Sequence, residues 1–302
     1  MSNVINRGNF PKALTPGIKA FVQMSYEKHQ SHIPLMFRVA DSKRKYEELV
    51  AGNSFGRAAR KNEGDNTVFQ TESQAYVTRV QHVSYALGFQ VTKEEWEDNL
   101  YDELTKKRSE RLARAFFETK EIVAANVFNR ASNPLFTYGD GKSLITDDHP
   151  TLNGNQSNSI SANLSEKALE DICIKIRTAT DNTGNRIGLM PKRLMVAPQN
   201  KFEAARILKS EQQNDTANNA VNALKTMGCI PEMFDNPYFT NPNSWFVKTN
   251  LDGDDGLIMF DRTKLNITEG AGDDTQNYKW YGFERYSFTT ADWRAVYGSA
   301  AV

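Results

Sequence analysis

Apolar positions along the chain repeat with two periods, and the places where the period changes divide it into segments. The longest uninterrupted pattern runs from Thr92 to Ala131, with no Gly and no Pro. Trp96, Leu100 and Leu104 fall four apart, and Leu112, Phe116, Val123 and Val127 continue the stripe. The spacing predicts one helix with a narrow apolar face and a wide charged one. Thr92 with Glu95 three residues later reads as a capping box, which fixes the start. Asn133-Pro134 fixes the end, because the residue before proline is pushed out of the α region. At about 1.5 Å per residue such a helix is roughly 58 Å long, the length of a brace in an elongated subunit.

Period two precedes it. From Val83 the odd positions Val83, Tyr85, Leu87, Phe89 and Val91 are apolar, so Tyr76–Val91 reads as one long strand. Thr67-Val68-Phe69 begins a second strand. The loop AGNSFGRAARKNEGDN leads into it, with turn chemistry at Glu63-Gly64-Asp65-Asn66. The pattern is a two-stranded excursion with a polar tip, marginal in water unless a neighbour holds it. Upstream, Thr15-Pro16 opens a short amphipathic helix bearing Ile18, Phe21, Val22 and Tyr26, and Pro34 breaks the pattern. That arm has too little apolar surface to stand alone.

Downstream, residues 132–163 are rich in Asn, Ser, Thr and Gly and mark a boundary. Residues 164–255 alternate between the two periods and read as an α/β unit. Ser165 caps a helix with Leu169, Ile172 and Ile176 inward, and Arg193–Ala197 is a buried strand. Gln199–Ser210 is a second helix, with Phe202, Ala205 and Leu208 on one face. A polar loop at 210–220 follows, then strands at Trp245–Val247 and Leu257–Phe260. The last stretch, 264–302, is β-rich and aromatic.

Composition narrows the functions open to this pattern. The 302 residues carry 37 basic and 37 acidic side chains, a formal charge of zero. Gripping nucleic acid as a main task calls for a basic excess or patch. Cys173 and Cys229 have neither redox nor zinc spacing and read as buried free thiols. No run of about 18 apolar residues is present to span a membrane. The first residues lack the apolar core of a secretion signal, which implies a product made and kept in the cytosol. In the long helix, Glu94, Glu95, Glu97, Asp98, Asp102 and Glu103 precede Lys106, Lys107, Arg108, Arg111 and Arg114. Acid first suits the helix dipole, and the two halves would let copies dock side by side. A solvated face with local Glu–Lys pairs explains the same order.

No constellation for catalysis emerges. Gly52-Asn53-Ser54-Phe55-Gly56 has the letters of a nucleophile elbow, which would make Ser54 the nucleophile of a hydrolase, but the run before it reads as charged and helix-like where an elbow needs a strand, and a Gly/Arg/Asn loop follows where it needs a helix. Gly141-Lys142-Ser143 lacks the earlier glycine of a phosphate loop. His29 and His32 have no further zinc ligands of suitable type beside them. Asp147-Asp148-His149 has the residue types of a general base without a nucleophile beside it. Asp252-Gly253-Asp254-Asp255-Gly256 lacks the glycine and glutamate positions of a calcium loop and reads as a tight acidic turn. No cofactor or metal is expected, and a structural or binding protein is.

Several strings, in order, carry a resemblance. They are the loop KNEGDN at 61–66 and Ala86-Leu87-Gly88-Phe89-Gln90-Val91-Thr92 running into Glu94-Glu95-Trp96-Glu97-Asp98-Asn99-Leu100-Tyr101. Near the end come Arg285-Tyr286-Ser287-Phe288 and Ala291-Asp292-Trp293-Arg294-Ala295-Val296-Tyr297-Gly298. The chain resembles the major capsid (major head) proteins of tailed bacteriophages, in the branch of the Mu-like head subunits. The resemblance implies an α+β fold of the Hong Kong 97 type. It implies an N-terminal arm (1–40), an extended loop with its leading strand (41–91) and a peripheral domain (92–163) with a spine helix at 92–131. An axial domain (164–255) and return strands of the peripheral domain (256–302) complete it. The implied function is self-assembly, through pentamers and hexamers, into an icosahedral head around double-stranded DNA that is held without sequence-specific contacts. Arm and loop would lie on neighbouring subunits. A separate scaffolding protein and a portal are the implied partners, with assembly in the bacterial host cytoplasm and a final place in the virion. Arg57, Arg60, Lys61, Glu63 and Asp65 at the loop tip would pair with neighbouring subunits. Thr92, Glu95, Trp96, Leu100, Leu104, Leu112 and Phe116 would hold the spine. An encapsulin-like cargo compartment, which shares the fold, is the alternative.

Overall fold

The computed structural model describes residues 15–52, 55–70, 74–98, 101–212, 220–271 and 277–299. For residues 15–18, 96, 97, 101–105 and 271 only the backbone is described. The helices are α1 (Thr15–Glu27), α2 (Ile33–Met36), α3 (Lys93–Glu97), α4 (Tyr101–Asn129), α5 (Glu166–Arg177), α6 (Lys201–Lys209) and α7 (Ala223–Met227). The strands are β1 (Arg38–Asp41), β2 (Tyr46–Gly52), β3 (Gln74–Gln81), β4 (Val83–Val91), β5 (His149–Thr151) and β6 (Gly154–Gln156). They continue as β7 (Pro191–Val196), β8 (Glu232–Asp235), β9 (Trp245–Thr249), β10 (Leu257–Ala271), β11 (Tyr278–Thr290) and β12 (Val296–Ser299).

Two four-stranded sheets form around α4. The first runs β1-β10-β11-β4 and the second β12-β9-β7-β8. β10 and β11 pair antiparallel from Leu257 opposite Thr290 to Ala271 opposite Tyr278, with register shifts near Thr263. The first half of α4 lies on this long hairpin. Leu112, Ala113 and Phe116 pack there with Val91, Ile267 and Trp280, and Val22 of α1 closes the cluster. The fit is close because β11 carries Gly282, where an added Cβ would meet the Phe116 ring at 2.3 Å. The second half of α4 carries small residues, Ala124 and Ala125, and then Phe128. These join Met36, Phe37, Met195, Phe246, Met259, Tyr286 and Val296 in a core shared by both sheets. A third core lies under α5, α6 and α7 on the second sheet, with Leu169, Ile172, Ile176, Leu194, Ile207, Trp245 and Trp293.

The sequence pattern holds where a local signal sufficed. Ser165 caps α5 by accepting from the Ala168 N–H, and Leu169, Ile172 and Ile176 are buried. Elsewhere the fold departs from it. The expected single helix from Thr92 is two. α3 closes at Asp98, whose N–H donates to Glu94 O at 2.9 Å, and α4 begins at Tyr101 with 29 residues, about 44 Å. The expected strand at Thr67–Phe69 is irregular chain, and the partner of β3 is instead β2, upstream of the loop. The strand expected over Tyr76–Val91 splits at His82. β3 pairs with β2, and β4 with β11. His82 is buried at the joint, held by Ser42 Oγ at 3.0 Å and Ser287 Oγ at 2.9 Å, and burial holds its imidazole below the ordinary range. α6 buries Ala204 and Ile207, while Phe202 is 72% exposed, so its expected face is turned. Pro34 stands in the first turn of α2 and starts that helix where a break was expected. The last strand, β12, pairs with β9 at the edge of the second sheet.

Candidate functional site

No described loop is less supported by its own chain than the one joining β2 to β3. Every described residue from 55 to 70 is exposed, including Arg57, Arg60, Lys61, Glu63 and Asp65. The tip turns at Glu63-Gly64, where Gly64 has φ +86, a value that favours glycine. The turn is pinned by Asn62 N–H donating to Asp65 Oδ2 at 3.0 Å and Asp65 N–H donating to Asn62 O at 3.2 Å. Among the described residues the two limbs are tied by Gly56 N–H donating to Gln70 Oε1 at 2.7 Å. Among the described residues, none of the five charged side chains forms an ion pair within the chain. Three apolar side chains, Phe55, Val68 and Phe69, also face solvent, Phe69 at 92%. Ser54, the candidate nucleophile, lies outside the described residues.

The spine residues divide. Leu112 and Phe116 are buried as expected. Thr92 Oγ1 accepts from the Glu95 N–H at 3.2 Å, which gives one half of the capping box. The Glu95 carboxylate is taken by Arg108, with Nη1 at 3.1 Å and Nη2 at 2.7 Å. Leu100 and the side chains of Trp96 and Leu104 lie outside the described residues. α1 rests on α4 of its own chain, with Tyr26 edge-on to Phe117 at 5.9 Å and His29 stacked on Phe117 at 5.0 Å. His32 instead stacks on Phe234, so the two histidines do not converge.

Two polar clusters lie inside. His149 is buried flat against Trp293, rings 4.2 Å apart, with Nδ1 at 2.5 Å from Asp140 Oδ2 and Nε2 at 3.2 Å from Asn158 Oδ1. Asp148 turns away to Lys142 and Thr146, which hold its carboxyl below the usual range, so Asp147-Asp148-His149 is not a convergent site. The second cluster lies where α4 crosses the β10–β11 hairpin. Lys120 Nζ is 3.3 Å from Asp261 Oδ2 and 4.0 Å from Glu284 Oε2, and it lies over the Tyr286 ring at 5.0 Å. Glu284 is fully buried, and burial pushes its carboxyl up to about 7 against the opposing pull of Lys120. Neither cluster was found from sequence. The available signal was an acid inside the aromatic run YKWYGFERYSFTT.

The remaining candidates are structural. Asp252 binds Lys192 at 2.5 Å and Lys248 at 3.3 Å, and Asp254 binds Arg38 at 2.7 Å, so the acidic turn is spent on basic side chains. Among the described residues no group of His, Cys, Asp and Glu is arranged to hold a metal ion. No described helix is long and apolar enough to cross a membrane. Cys173 is buried and Cys229 half-buried, both free, and burial with the neighbouring Cys229 pushes the Cys173 thiol up to about 12.

Comparison with known proteins places the fold. The chain resembles the virus-like particle protein of Pyrococcus furiosus at 12% identity, covering 94% of this chain and 98% of that one, with a TM-score of 0.55. Mycobacterium phage Patience gives 10% identity over 99% and 89%, with a TM-score of 0.53. The capsid of Cyanophage P-SCSP1u gives 10% identity over 91% and 89%, also at 0.53. At such identities these likenesses carry the fold alone, the Hong Kong 97 type. No curated protein matches the chain in sequence. The profile of the family described as "Phage capsid protein" matches residues 75–299. That match favours neither a cargo compartment nor a hydrolase using Ser54. It extends from β3 through β12 and takes in the spine, the second sheet and the first sheet apart from β1, with the long hairpin. The protein therefore belongs to the phage capsid protein family and is a structural major capsid subunit of the virion.

Proposed function

We propose that this subunit builds an icosahedral head of the Mu-like kind around double-stranded DNA, with the β2–β3 loop as its main grip on the next subunit. One observation carries the reading: residues 55–70 are exposed throughout and hold Phe55, Val68 and Phe69 in water beside five unpaired charges. A strand pair extended in this way gains stability only from a surface outside its own chain. In the assembly the apolar side chains supply burial, and Arg57, Arg60, Lys61, Glu63 and Asp65 set register by pairing with charges of the neighbour. The 41–91 segment acts as the extended loop and 92–163 as the peripheral domain. The unit from 164 to 255, completed by β12, acts as the axial domain that meets its copies at five-fold and six-fold axes. The described part of the 1–40 arm braces its own spine. A separate scaffolding protein and a portal take part, assembly runs in the host cytoplasm, and the neutral wall faces DNA without gripping it.

The test is a loop variant, Arg57→Glu with Arg60→Glu and Phe69→Ser. Its circular dichroism and melting should match the parent, because the three side chains changed are exposed. Electron microscopy should show shells from the parent and dispersed subunits or capsomers from the variant. Normal shells from the variant would refute the role of the loop.

A further inference from the structure

The cluster of Lys120, Asp261 and Glu284 is unusual for an ion pair. The Lys120 and Asp261 side chains are only 11% and 9% exposed, and Glu284 is wholly buried. Asp261 Oδ1 and both Glu284 oxygens have no hydrogen-bond partner among the described residues. Burying charge is expensive unless every lone pair is satisfied, so a plain salt bridge is a poor use of this place. The three groups are also rigidly mounted. Lys120 projects from α4, Asp261 sits on β10 opposite Tyr286, and Glu284 sits on β11 opposite Tyr85. The Lys120 nitrogen lies 3.3 Å from Asp261 Oδ2, so the amine is held in direct contact with the carboxyl group whose carbon it would attack.

We propose that Lys120 and Asp261 join in an intramolecular amide bond, with Glu284 as the proton relay. The inference rests on these residues alone and is independent of how the shell assembles.

The step balances without any further reagent. A proton passes from the Lys120 ammonium to the Asp261 carboxylate, leaving a neutral amine and a carboxylic acid. The Nζ lone pair attacks Asp261 Cγ, and the C=O π pair moves onto oxygen. The protonated Glu284 gives its proton to one hydroxyl, which departs as water, and takes a proton from nitrogen in return. The net change is ammonium plus carboxylate to secondary amide plus one water, with Glu284 restored. Its raised proton affinity suits it to begin in the acid form near neutrality. The product is uncharged, so the reaction removes two buried charges from a site that pairs them incompletely. A cleft of about 370 Å³, lined by Val22 and Tyr26 of α1 and by Lys264 and Ile267 of β10, opens beside Lys120 and Asp261 and gives the released water an exit. The bond would fasten the spine to the long hairpin covalently within one subunit.

The test is the intact mass of the full chain after denaturation, taken both from free subunits and from assembled particles. The parent should be lighter than its sequence by one water, with trypsin failing to cut after Lys120 and yielding a branched peptide that contains Asp261. Lys120→Arg and Asp261→Ala should show the full sequence mass. Asp261→Asn should react with loss of ammonia in place of water. Glu284→Gln, with unchanged circular dichroism, should stay at full mass. A parent of full sequence mass in both states, cut normally after Lys120, would overturn the bond. Complete reaction of Glu284→Gln would overturn the relay, and if that variant does not fold, Glu284→Asp provides the same reading through a slowed reaction.

Discussion

Arg108 grips Glu95 with both ends of its guanidinium, at 3.1 and 2.7 Å. The two residues are thirteen apart in sequence, and in one straight helix that spacing puts roughly 20 Å between their Cα atoms. The pair is therefore possible only because α3 stops at Asp98 and α4 starts afresh at Tyr101. Glu95 lies in the first turn of α3, where acid suits the helix dipole, and its carboxylate also receives Arg108 from α4. The pair is a clasp between two helices, which also leaves Thr92 as the working half of the cap.

The clasp is partly open to water, with side chains 32% and 21% exposed, so its energy is modest. A double-mutant cycle of Arg108→Met and Glu95→Gln should give a coupling of about 1 kcal/mol or less. Amide exchange in residues 93–97 should accelerate in Arg108→Met, while exchange in the second half of α4 stays unchanged. Equal acceleration along all of α4 would show that the two helices act as one.

Gly282 is tied to Phe116 by shape. A Cβ at 282 would meet the ring at 2.3 Å and Ile267 Cδ1 at 3.3 Å. Gly282→Ala should cost about 1–3 kcal/mol, as overpacked cores do. Adding Phe116→Leu should return part of the loss, because the smaller side chain vacates the clash. Chemical denaturation of the four proteins decides it, and a loss that is purely additive in the double variant contradicts the contact.

What the chain reveals by reading alone depends on how local each cause is. Leu112 and Phe116 were legible because a helix face repeats within a few residues, and Ser165 because a cap acts three residues away. β2 was not, since Tyr46-Glu47-Glu48 looks like a charged run, and only its pairing with β3 makes it a strand. Thr67-Val68-Phe69 has strand propensity but no strand partner among the described residues, and it is irregular. Phe202 misled for a related reason. α6 turns Ala204 and Ile207 to the sheet and leaves the ring outside. The exposed loop was legible as a polar tip. Its apolar members were not legible as exposed, because that depends on what the rest of the fold fails to cover.

His149 and Trp293 make a second long-range joint. The stacked rings lie 4.2 Å apart and 4° from parallel, and Asp140, almost fully buried, depends on the imidazole. His149→Phe keeps a flat ring on Trp293 and strips the carboxylate of that partner. It should cost on the order of 3 kcal/mol, the penalty of a buried charge left half-paired. Combining it with Asp140→Asn should recover stability, since the uncompensated charge is gone. A single variant that denatures with the parent midpoint would mean that the stack alone holds this joint.

Glu284 makes the stability of the subunit depend on pH in a direction opposite to that of an ordinary paired carboxylate. Its acid form is favoured by folding, with the carboxyl moved from 4.5 up to about 7 by burial. Between those values the folded chain binds more protons than the unfolded one, so stability falls as pH rises through the window. Below 4.5 both states are protonated, and above about 7 both are ionised, so this group's slope vanishes at either end. Across the window it removes about 3 kcal/mol from the folded state. Urea denaturation of the parent should therefore show a midpoint that declines from pH 5 to pH 7 in excess of the decline in Glu284→Gln. The slope is the reading, whatever constant offset separates the two proteins. In a subunit whose Lys120 is still a free ammonium, neutralising it would steepen the effect, because its positive charge opposes the rise of the Glu284 value. A parent and a Glu284→Gln variant with parallel profiles would mean that the carboxyl is ionised and solvated, and that the hairpin opens where α4 crosses it.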